Sequence, residues 1–123
     1  MYTLDTNAII YFLKDDSRAV AALDPIFATA SPLYISSVTE VELFAFPHLT
    51  TEEARHIEDL LSTVAVIPLD SRLARIAGTL RRSYRLNVAD AIIAATALFT
   101  DTILLTRNVR DFRSVPDLNV QAI

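Results

Sequence analysis

Residues 87–99 read NVADAIIAATALF, and their apolar side chains cover nearly the whole circumference of a helix. A helix of this kind is buried on all sides rather than laid on a surface. The next apolar run, Ile103–Thr106, has the length and composition of a strand. The stretch therefore predicts a buried helix leading into a buried strand, with Asp90 as the only charge on the helix.

The same alternation of strands and helices extends over the whole chain and predicts an α/β fold. It indicates a three-layer α/β/α sandwich with a central, mainly parallel sheet of five strands. The apolar runs predicted to be strands are Tyr2–Leu4, Leu33–Ser36, Val64–Leu69, Ile103–Thr106 and Leu118–Ala122. The segments predicted to be helices are Asn7–Leu13, Arg18–Ala30 with a break near Pro25, Ser37–Phe46, Glu52–Ser62, Arg72–Tyr84 and Val88–Phe99.

Length and composition set the class of protein. The 123 residues predict a single domain over 1–123, and the 52% hydrophobic content excludes a disordered chain. Charges interrupt every apolar run before the roughly 18 residues that a membrane-spanning helix needs, and no signal peptide is recognisable. The absence of cysteine excludes disulfides and thiolate metal sites. We expect a cytoplasmic protein without a membrane partner.

The net charge of −4 argues at first against a nucleic-acid partner. If four of the 15 acids surround a cation, however, the remaining acids balance the 11 bases. All but one of the bases are arginine, whose planar guanidinium suits phosphate. The arginines are also clustered, and this distribution favours RNA; the two clusters are Arg72, Arg75, Arg81, Arg82 and Arg85, and Arg107, Arg110 and Arg113.

Acidic residues follow three of the predicted strands. Asp5 comes directly after the first, Asp111 lies in the loop after Ile103–Thr106, and Glu42 is on the helix after the second. Ligands of parallel sheets bind at the carboxyl ends of the strands, so these side chains are expected at one edge. Asp90, at the start of its helix, is a fourth candidate for the same place. We call these four residues the acidic quartet.

Each member also has a purely structural interpretation. Asp5 has the position of a helix N-cap. Asn87 as an N-cap would place Asp90 in the first helical turn, where the helix dipole favours an anion. Asp111 would serve as a turn residue or pair with Arg107 at the surface. For Asp90 the apolar surroundings and the lack of a basic residue on its helix favour a metal ion as the counter-charge.

The two glutamates of the third helix need different interpretations. Ser37 and Glu40 have the spacing of a capping box, which predicts a structural role for Glu40. Glu42 lies about 200° away around the helix, close to apolar positions such as Val38 and Ala45. A carboxylate there is costly unless it is paired or metal-bound, so Glu42 is the functional candidate.

Four converging carboxylates repel one another unless a cation binds between them. Hard oxygen ligands without histidine or cysteine suit Mg²⁺ or Mn²⁺ rather than Zn²⁺. His48 and His56 match no metal-binding spacing and are expected to be surface or capping residues.

The sequence resembles the PIN domain, and within it the VapC-like toxins of toxin–antitoxin pairs. The motifs that carry this resemblance occur in family order over nearly the whole chain, and the run from Asp90 is the most specific. The segment Arg81–Asn87 departs from the family because it lacks the glycine often found there, which leaves its loop shape open. The matching segments are Leu4-Asp5-Thr6-Asn7, Ile35-Ser36 with Thr39 and Glu42-Leu43, Ala89–Ala97, and Thr106-Arg107-Asn108 with Asp111-Phe112.

The resemblance implies a three-layer domain and Mg²⁺- or Mn²⁺-dependent cleavage of RNA. Carried over residue by residue, it makes the acidic quartet both catalytic and metal-binding, with Thr6, Asn7, Thr106 and Asn108 as a polar shell. It also implies a homodimer and inhibition by a small antitoxin. Arg107 or Arg110 would then hold the RNA backbone.

Two other functions remain open from the residues. One is a PIN-type nuclease of RNA maturation or decay without a toxin role. The other is a non-catalytic acidic-pocket module similar to a phospho-receiver domain. That second class needs a lysine near the pocket, and the only lysine, Lys14, lies one helix away from Asp5.

Overall fold

The computed structural model describes residues 1–123, and it has a sheet of five short strands and seven helices. The strands are β1 (Tyr2–Leu4), β2 (Leu33–Ser36), β3 (Ala65–Ile67), β4 (Ile103–Thr106) and β5 (Val120–Ala122). The helices are α1 (Thr6–Leu13), α2 (Ser17–Phe27), α3 (Ser37–Phe44), α4 (Thr51–Leu61), α5 (Ser71–Tyr84), α6 (Val88–Thr100) and α7 (Val109–Phe112).

All neighbouring strands are parallel, and their order across the sheet is β3-β2-β1-β4-β5. The chain therefore builds outwards from β1 to one edge, and then returns to add β4 and β5 on the other side. The strand order reverses between β1 and β4. In open parallel sheets, this reversal point is where the loops diverge and leave a crevice for a ligand.

Helices cover both faces of the sheet and form two separate apolar cores. On one face, α5 and α6 pack over Leu104 with Phe112 and Val115. On the other face, α1, α2 and α4 pack over Leu4, Ile35 and Leu105. Leu104 and Leu105 belong to different cores because successive side chains of a strand point to opposite faces. The predicted three-layer α/β/α sandwich is confirmed, and its sheet is wholly parallel.

Helix α6 is as buried as its composition predicts. The seven consecutive residues from Ala91 to Ala97 are all buried, so the helix lies between the sheet and its neighbour α5. The small alanine side chains let these layers approach closely. Asp90 lies in the first turn of this helix, so the packing of α6 fixes the position of its carboxyl.

Two local predictions are wrong. The helix around Pro25 is not broken there: α2 runs through this proline and ends at Phe27, since the proline lies in the last turn, where few backbone bonds remain to lose. Ser37 and Glu40 do not form a capping box. The N-cap of α3 is Ser36, which accepts a hydrogen bond from the amide of Val38, while the Ser37 hydroxyl accepts one from the amide of Leu69.

A capping box does exist one helix later, at Thr50 and Glu53, which begin α4. The short helix α7 was not predicted, because four residues are too few to show a helical period. Helix α5 ends at Arg85, which adopts the left-handed conformation with φ 57° and ψ 34°. No helix is both long enough and apolar enough to cross a lipid bilayer.

Candidate active site

The centre of the candidate site is a hydrogen bond between the ends of β1 and β4. Asp5 follows β1, and Thr106 is the last residue of β4. The Thr106 hydroxyl donates to Asp5 Oδ2 over 2.7 Å, and both side chains are buried. Because β1 and β4 flank the point where the strand order reverses, this bond lies at the predicted ligand crevice.

The Thr106 hydroxyl is fixed in the direction of Asp5. The backbone amide of Asn108 donates to Thr106 Oγ1 over 2.9 Å, which leaves the hydroxyl proton for the carboxylate. The Thr106 hydroxyl therefore accepts from Asn108 and donates to Asp5, and these two bonds fix its rotation. Asn108 contributes through its backbone, and its side chain is exposed without a hydrogen bond to the acidic quartet.

Asp5 occupies the N-cap position of α1 but makes no side-chain cap hydrogen bond. Its side chain is only 2% exposed, and burial raises the pKa of its carboxyl above the ordinary 3.8. The hydrogen bond from Thr106 lowers this pKa, and the negative charge of Glu42 raises it. A capping role alone does not explain why the Asp5 carboxylate is buried.

Glu42 is joined to α1 through hydroxyl groups. Thr6 Oγ1 donates to Glu42 Oε1 over 2.7 Å and lies 3.0 Å from the hydroxyl oxygen of Thr39. Thr6 and Thr39 are buried, while Glu42 is half-buried. Thr39 precedes Glu42 by three residues on α3, so both side chains lie on the helix face towards α1.

Asp90 lies in the first turn of α6, and Asn87 is the N-cap of that helix. The Asp90 amide donates to Asn87 Oδ1 over 2.8 Å, and Asn87 Nδ2 donates to Asp90 Oδ2 over 3.1 Å. The alternative capping interpretation therefore describes real contacts. It does not account for the charges around the carboxyl.

The pKa of Asp90 is raised from 3.8 to about 6. Burial is the largest cause, followed by the negative charges of Asp5, Asp111 and Glu42, whereas the hydrogen bond from Asn87 lowers the pKa. A carboxyl is repelled in this way only when the other three carboxylates lie within electrostatic range. Asp5, Glu42 and Asp111 thus lie close enough to Asp90 for their charges to act on its carboxyl.

Asp111 is the exposed member of the quartet. It lies on α7, and its amide donates to the carbonyl oxygen of Asn108 over 3.1 Å. Together with Asp90 it lines an open groove that Arg110 also borders. The sequence alternative of a surface pair between Asp111 and Arg107 is not formed.

Arg107 instead binds Asp16, at the start of α2. Its Nη2 lies 2.7 Å and its Nη1 lies 3.2 Å from the two carboxylate oxygens, and its guanidinium stacks 4.0 Å from the centre of the Tyr11 ring. The hydrogen bond from Arg107 lowers the pKa of Asp16 to about 2. Arg107 Nε also donates to the carbonyl oxygen of Ile123. These contacts occupy the guanidinium predicted to hold RNA.

The acidic quartet has the chemistry of a hard-cation site but not a finished coordination shell. No three carboxylates, imidazoles or thiolates are already arranged to hold a metal ion. Threonine and asparagine donors tie the Asp5, Glu42 and Asp90 carboxyls to separate partners. Asn7 is exposed and makes no side-chain hydrogen bond, and His48 and His56 lie at the surface as predicted.

Sequence reasoning missed two residues that shape this region. Thr39 was noticed only as part of a family motif, although its spacing of three from Glu42 was a signal. Asp16 gave no signal, because its partner Arg107 is 91 positions away. Lys14 lies above the ring of Phe46, 5.6 Å from its centre, so its amine is engaged outside the acidic site.

Comparisons with known proteins place the chain in a family. The family model described as the PIN domain matches residues 2–118. Ribonuclease VapC19 of Mycobacterium tuberculosis is 32% identical over 96% of this chain and 97% of its own length. Ribonuclease VapC1 of Haemophilus influenzae is 32% identical over 98% of this chain and 96% of its own.

Solved structures give the same result. A chain of a toxin–antitoxin complex from Klebsiella pneumoniae superposes with a TM-score of 0.82 at 30% identity, and the match covers 96% of this chain and 95% of that one. Near-complete coverage in both directions means that the likeness extends to the whole architecture. The chain described here belongs to the PIN domain family, and within it to the VapC group.

Proposed function

We propose that the chain is a metal-dependent endoribonuclease and the toxin of a type II toxin–antitoxin pair. The observation that carries the proposal is the acidic quartet at the reversal point of the sheet, where three carboxylates raise the pKa of Asp90. Its relatives named Ribonuclease VapC support an RNA phosphodiester as the substrate. The reaction is hydrolysis of that bond.

The donor set fits Mg²⁺ or Mn²⁺. The four candidate ligands are all carboxylates, and three of them are among the main causes, after burial, that raise the pKa of Asp90. A divalent cation held by Asp5, Glu42, Asp90 and Asp111 would remove the repulsion that raises this pKa. When bound, such an ion supplies a Lewis acid for the phosphodiester.

The remaining polar residues position these carboxylates. Thr106 holds Asp5, Thr6 holds Glu42, and Asn87 holds Asp90, each by one hydrogen bond to a carboxylate oxygen. The burial of Asp5 and Thr106 keeps bulk water away from the base of the site. Asn7 and Asn108 border the same edge as further polar groups. Of the two arginines predicted to hold RNA, Arg110 remains the candidate, because the guanidinium of Arg107 is paired with Asp16.

The toxin role rests on the solved relatives. The Klebsiella structure is a toxin–antitoxin complex, and a second similar chain, 28% identical to this one, comes from a structure of VapBC-1 of Haemophilus influenzae. We propose a small antitoxin as the partner and a homodimer as the assembly. An open apolar groove between α1, α3 and α4, lined by Leu13, Leu43, Phe46 and Leu49, offers a protein-binding surface.

A nuclease of RNA maturation or decay has the same acidic site and stays the second candidate. The two roles differ in their genetic neighbourhood and in their effect on cells. A toxin is encoded beside a small DNA-binding antitoxin and stops growth when expressed alone. An isolated gene whose expression leaves growth unaffected would favour the maturation or decay role.

The experiment that tests the enzymatic proposal uses the purified chain with labelled transfer RNA and ribosomal RNA. Incubations contain Mg²⁺, Mn²⁺ or EDTA, and the products are mapped to the nucleotide. We expect discrete cuts with either ion and none with EDTA. Cleavage that is unaffected by EDTA would rule out the metal-dependent mechanism.

A further inference from the structure

Arg85 adopts a backbone conformation that an arginine rarely takes. Five residues of the chain have positive φ, and the other four are Asp15, His48, Asp101 and Asp117. Aspartate and histidine are enriched in this left-handed region, whereas a long side chain gains nothing there. Glycine is the usual residue at a helix end of this kind. Arg85 therefore occupies a strained position that a smaller residue would fill more easily.

The side chain of Arg85 is not needed to form the turn. The backbone amide of Arg85 donates to the carbonyl oxygen of Arg81 over 2.9 Å, and Arg81 Nη1 donates to the carbonyl oxygen of Leu86 over 2.9 Å. These two bonds close the connection between α5 and α6. Arg85 itself is exposed and makes no ion pair, since the only one in the structure joins Arg107 to Asp16.

Arg85 does line the groove that leads to the acidic site. This groove, of about 420 Å³, is bordered by Asp90 and Asp111 and by two guanidinium groups, Arg85 from the end of α5 and Arg110 from α7. An RNA strand that approaches the carboxylates meets their negative charge first. Guanidinium groups beside the carboxylates offset this repulsion, and their planar fork matches phosphate oxygens.

We infer that Arg85 is a substrate-positioning residue that binds a backbone phosphate of the RNA beside the phosphodiester to be cut. The inference rests on the proposed ribonuclease function and names the contact by which this groove holds its substrate. The left-handed turn places the Arg85 side chain at the groove, and this contact explains why the strained backbone conformation is kept.

The decisive variant is Arg85→Gly, which suits the backbone and removes the guanidinium. If Arg85 only ends a helix, glycine leaves the melting temperature equal or higher and leaves the reaction unchanged. If Arg85 binds phosphate, the fold is preserved while RNA binding weakens. Melting is followed by circular dichroism, and binding by fluorescence anisotropy of a short fluorescein-labelled single-stranded RNA of mixed sequence in EDTA.

We expect Arg85→Gly to weaken RNA binding and raise KM by roughly three- to tenfold, the scale of one charge-assisted hydrogen bond at an exposed site. The value of kcat changes much less, because the carboxylates are untouched. The slope of log K against log salt should also fall by about 0.7, as expected when one phosphate contact to a single strand is lost. Arg85→Lys, which keeps the charge, should recover part of the affinity.

Arg55→Ala is the matched control, because Arg55 is exposed on α4 and its loss changes the net charge equally. An effect of Arg55→Ala as large as that of Arg85→Gly would reduce the result to net charge and overturn the inference. If the parent protein cuts RNA and Arg85→Gly has the same KM and the same salt slope as the parent, the inference about Arg85 is overturned while the proposed function stands. A parent protein that neither binds nor cuts the RNA would overturn the proposed function and this inference with it.

Discussion

Asp90 shows how one side chain serves the fold and the site together. Its hydrogen bond with Asn87 holds the first turn of α6, and three neighbouring carboxylates make its own charge unfavourable. A residue needed only to support the first turn would gain nothing from such neighbours, since a neutral side chain would contact Asn87 without the repulsion. The N-cap Asn87 therefore also fixes the orientation of the Asp90 carboxyl.

Replacing a quartet carboxylate by its amide tests the catalytic role. We expect Asp90→Asn or Glu42→Gln to lower the rate of RNA cleavage at least about 100-fold, the scale seen when a charge-stabilising group is removed. Shape and hydrogen-bonding capacity are retained, so the circular dichroism spectrum should not change. The measurement is the initial rate on labelled transfer RNA with Mg²⁺.

Glu40→Gln is the matched control for this pair. Glu40 lies on the same helix as Glu42, makes no side-chain hydrogen bond, and is not among the main causes of the raised pKa of Asp90. It should cleave at the parent rate. A purified Asp90→Asn or Glu42→Gln protein that still cuts at that rate would remove the residue from the proposed catalytic set.

The raised pKa of Asp90 predicts a pH-dependent stability of the metal-free protein. The folded pKa is about 6, above the ordinary 3.8, so the folded chain keeps a proton that the unfolded chain loses. The stabilisation is complete below about pH 4 and disappears as the pH rises through 6. In EDTA at pH 7.5, Asp90→Asn should be more stable than the parent by about 1–3 kcal/mol.

Urea unfolding between pH 4 and pH 8 measures this difference. The free energies of unfolding of the parent and Asp90→Asn should diverge with rising pH, and Glu40→Gln should follow the parent. Parallel curves would mean that burial and the neighbouring carboxylates do not raise the pKa of Asp90 as the structure indicates.

At the scale of elements, the Arg107–Asp16 pair connects parts of the chain that the sheet does not join. It links the turn after β4 to the start of α2, and through the Tyr11 ring it also contacts α1. That turn carries Asn108, whose amide donates to the Thr106 hydroxyl. By holding this turn, the Arg107–Asp16 pair supports the hydrogen bond from Thr106 to Asp5. Contacts of this kind keep loop residues in register with a rigid sheet.

Acid should remove the contribution of this pair. The pKa of Asp16 is lowered to about 2, so its stabilisation is complete above the ordinary 3.8 and is lost as the pH falls towards 2. We expect Asp16→Asn to be less stable than the parent at pH 6 and to approach it at pH 2. The measurement is the melting temperature of both proteins at low salt over this range. A difference that stays constant with pH would show that the ionised pair contributes nothing.

Element prediction from the sequence succeeded where composition alone decides. Strands β1, β2 and β4 have the predicted bounds, and α6 was predicted to be buried because only Thr96 and Asp90 interrupt its apolar surface. Prediction failed where a side chain has several possible partners. The Ser37 hydroxyl has the spacing of a cap, yet it accepts from the amide of Leu69, 32 residues away.

At the scale of the molecule, the site depends on the strand order. Asp5 and Thr106 are 101 positions apart and meet because β1 and β4 are neighbours at the centre of the sheet. Thr106 ends β4 and Asp5 directly follows β1, both side chains are buried, and helices on both faces exclude water from the base of the crevice. The site is therefore the place where two halves of the chain join.

Binding of a divalent cation at this junction should stabilise the whole domain. A ligand that binds only the folded state at a hundred times its Kd adds about 2.7 kcal/mol, equivalent to roughly 10 °C in a domain of this size. We expect Mn²⁺ to raise the melting temperature of the parent protein and to have a much smaller effect on Asp90→Asn. Differential scanning fluorimetry with and without EDTA measures both. Equal shifts for the two proteins would place the cation elsewhere.

The sequence by itself determined the layers, the parallel sheet and the identity of the acidic side chains. These follow from local patterns: apolar runs of strand length, helical spacing between them, and acids placed just after strands. It also left each acid with an ordinary structural alternative, because capping and catalysis need the same residue types in the same positions.

Only the tertiary structure decided which of those interactions form. Strand order and loop paths bring distant residues together, and a hydrogen bond or charge interaction depends on a few ångströms that no local pattern specifies. The partner of Arg107 and the left-handed turn at Arg85 are both of this kind. The sequence identifies the polar and charged side chains, whereas the distances between them are set by the packing of the two apolar cores on the sheet.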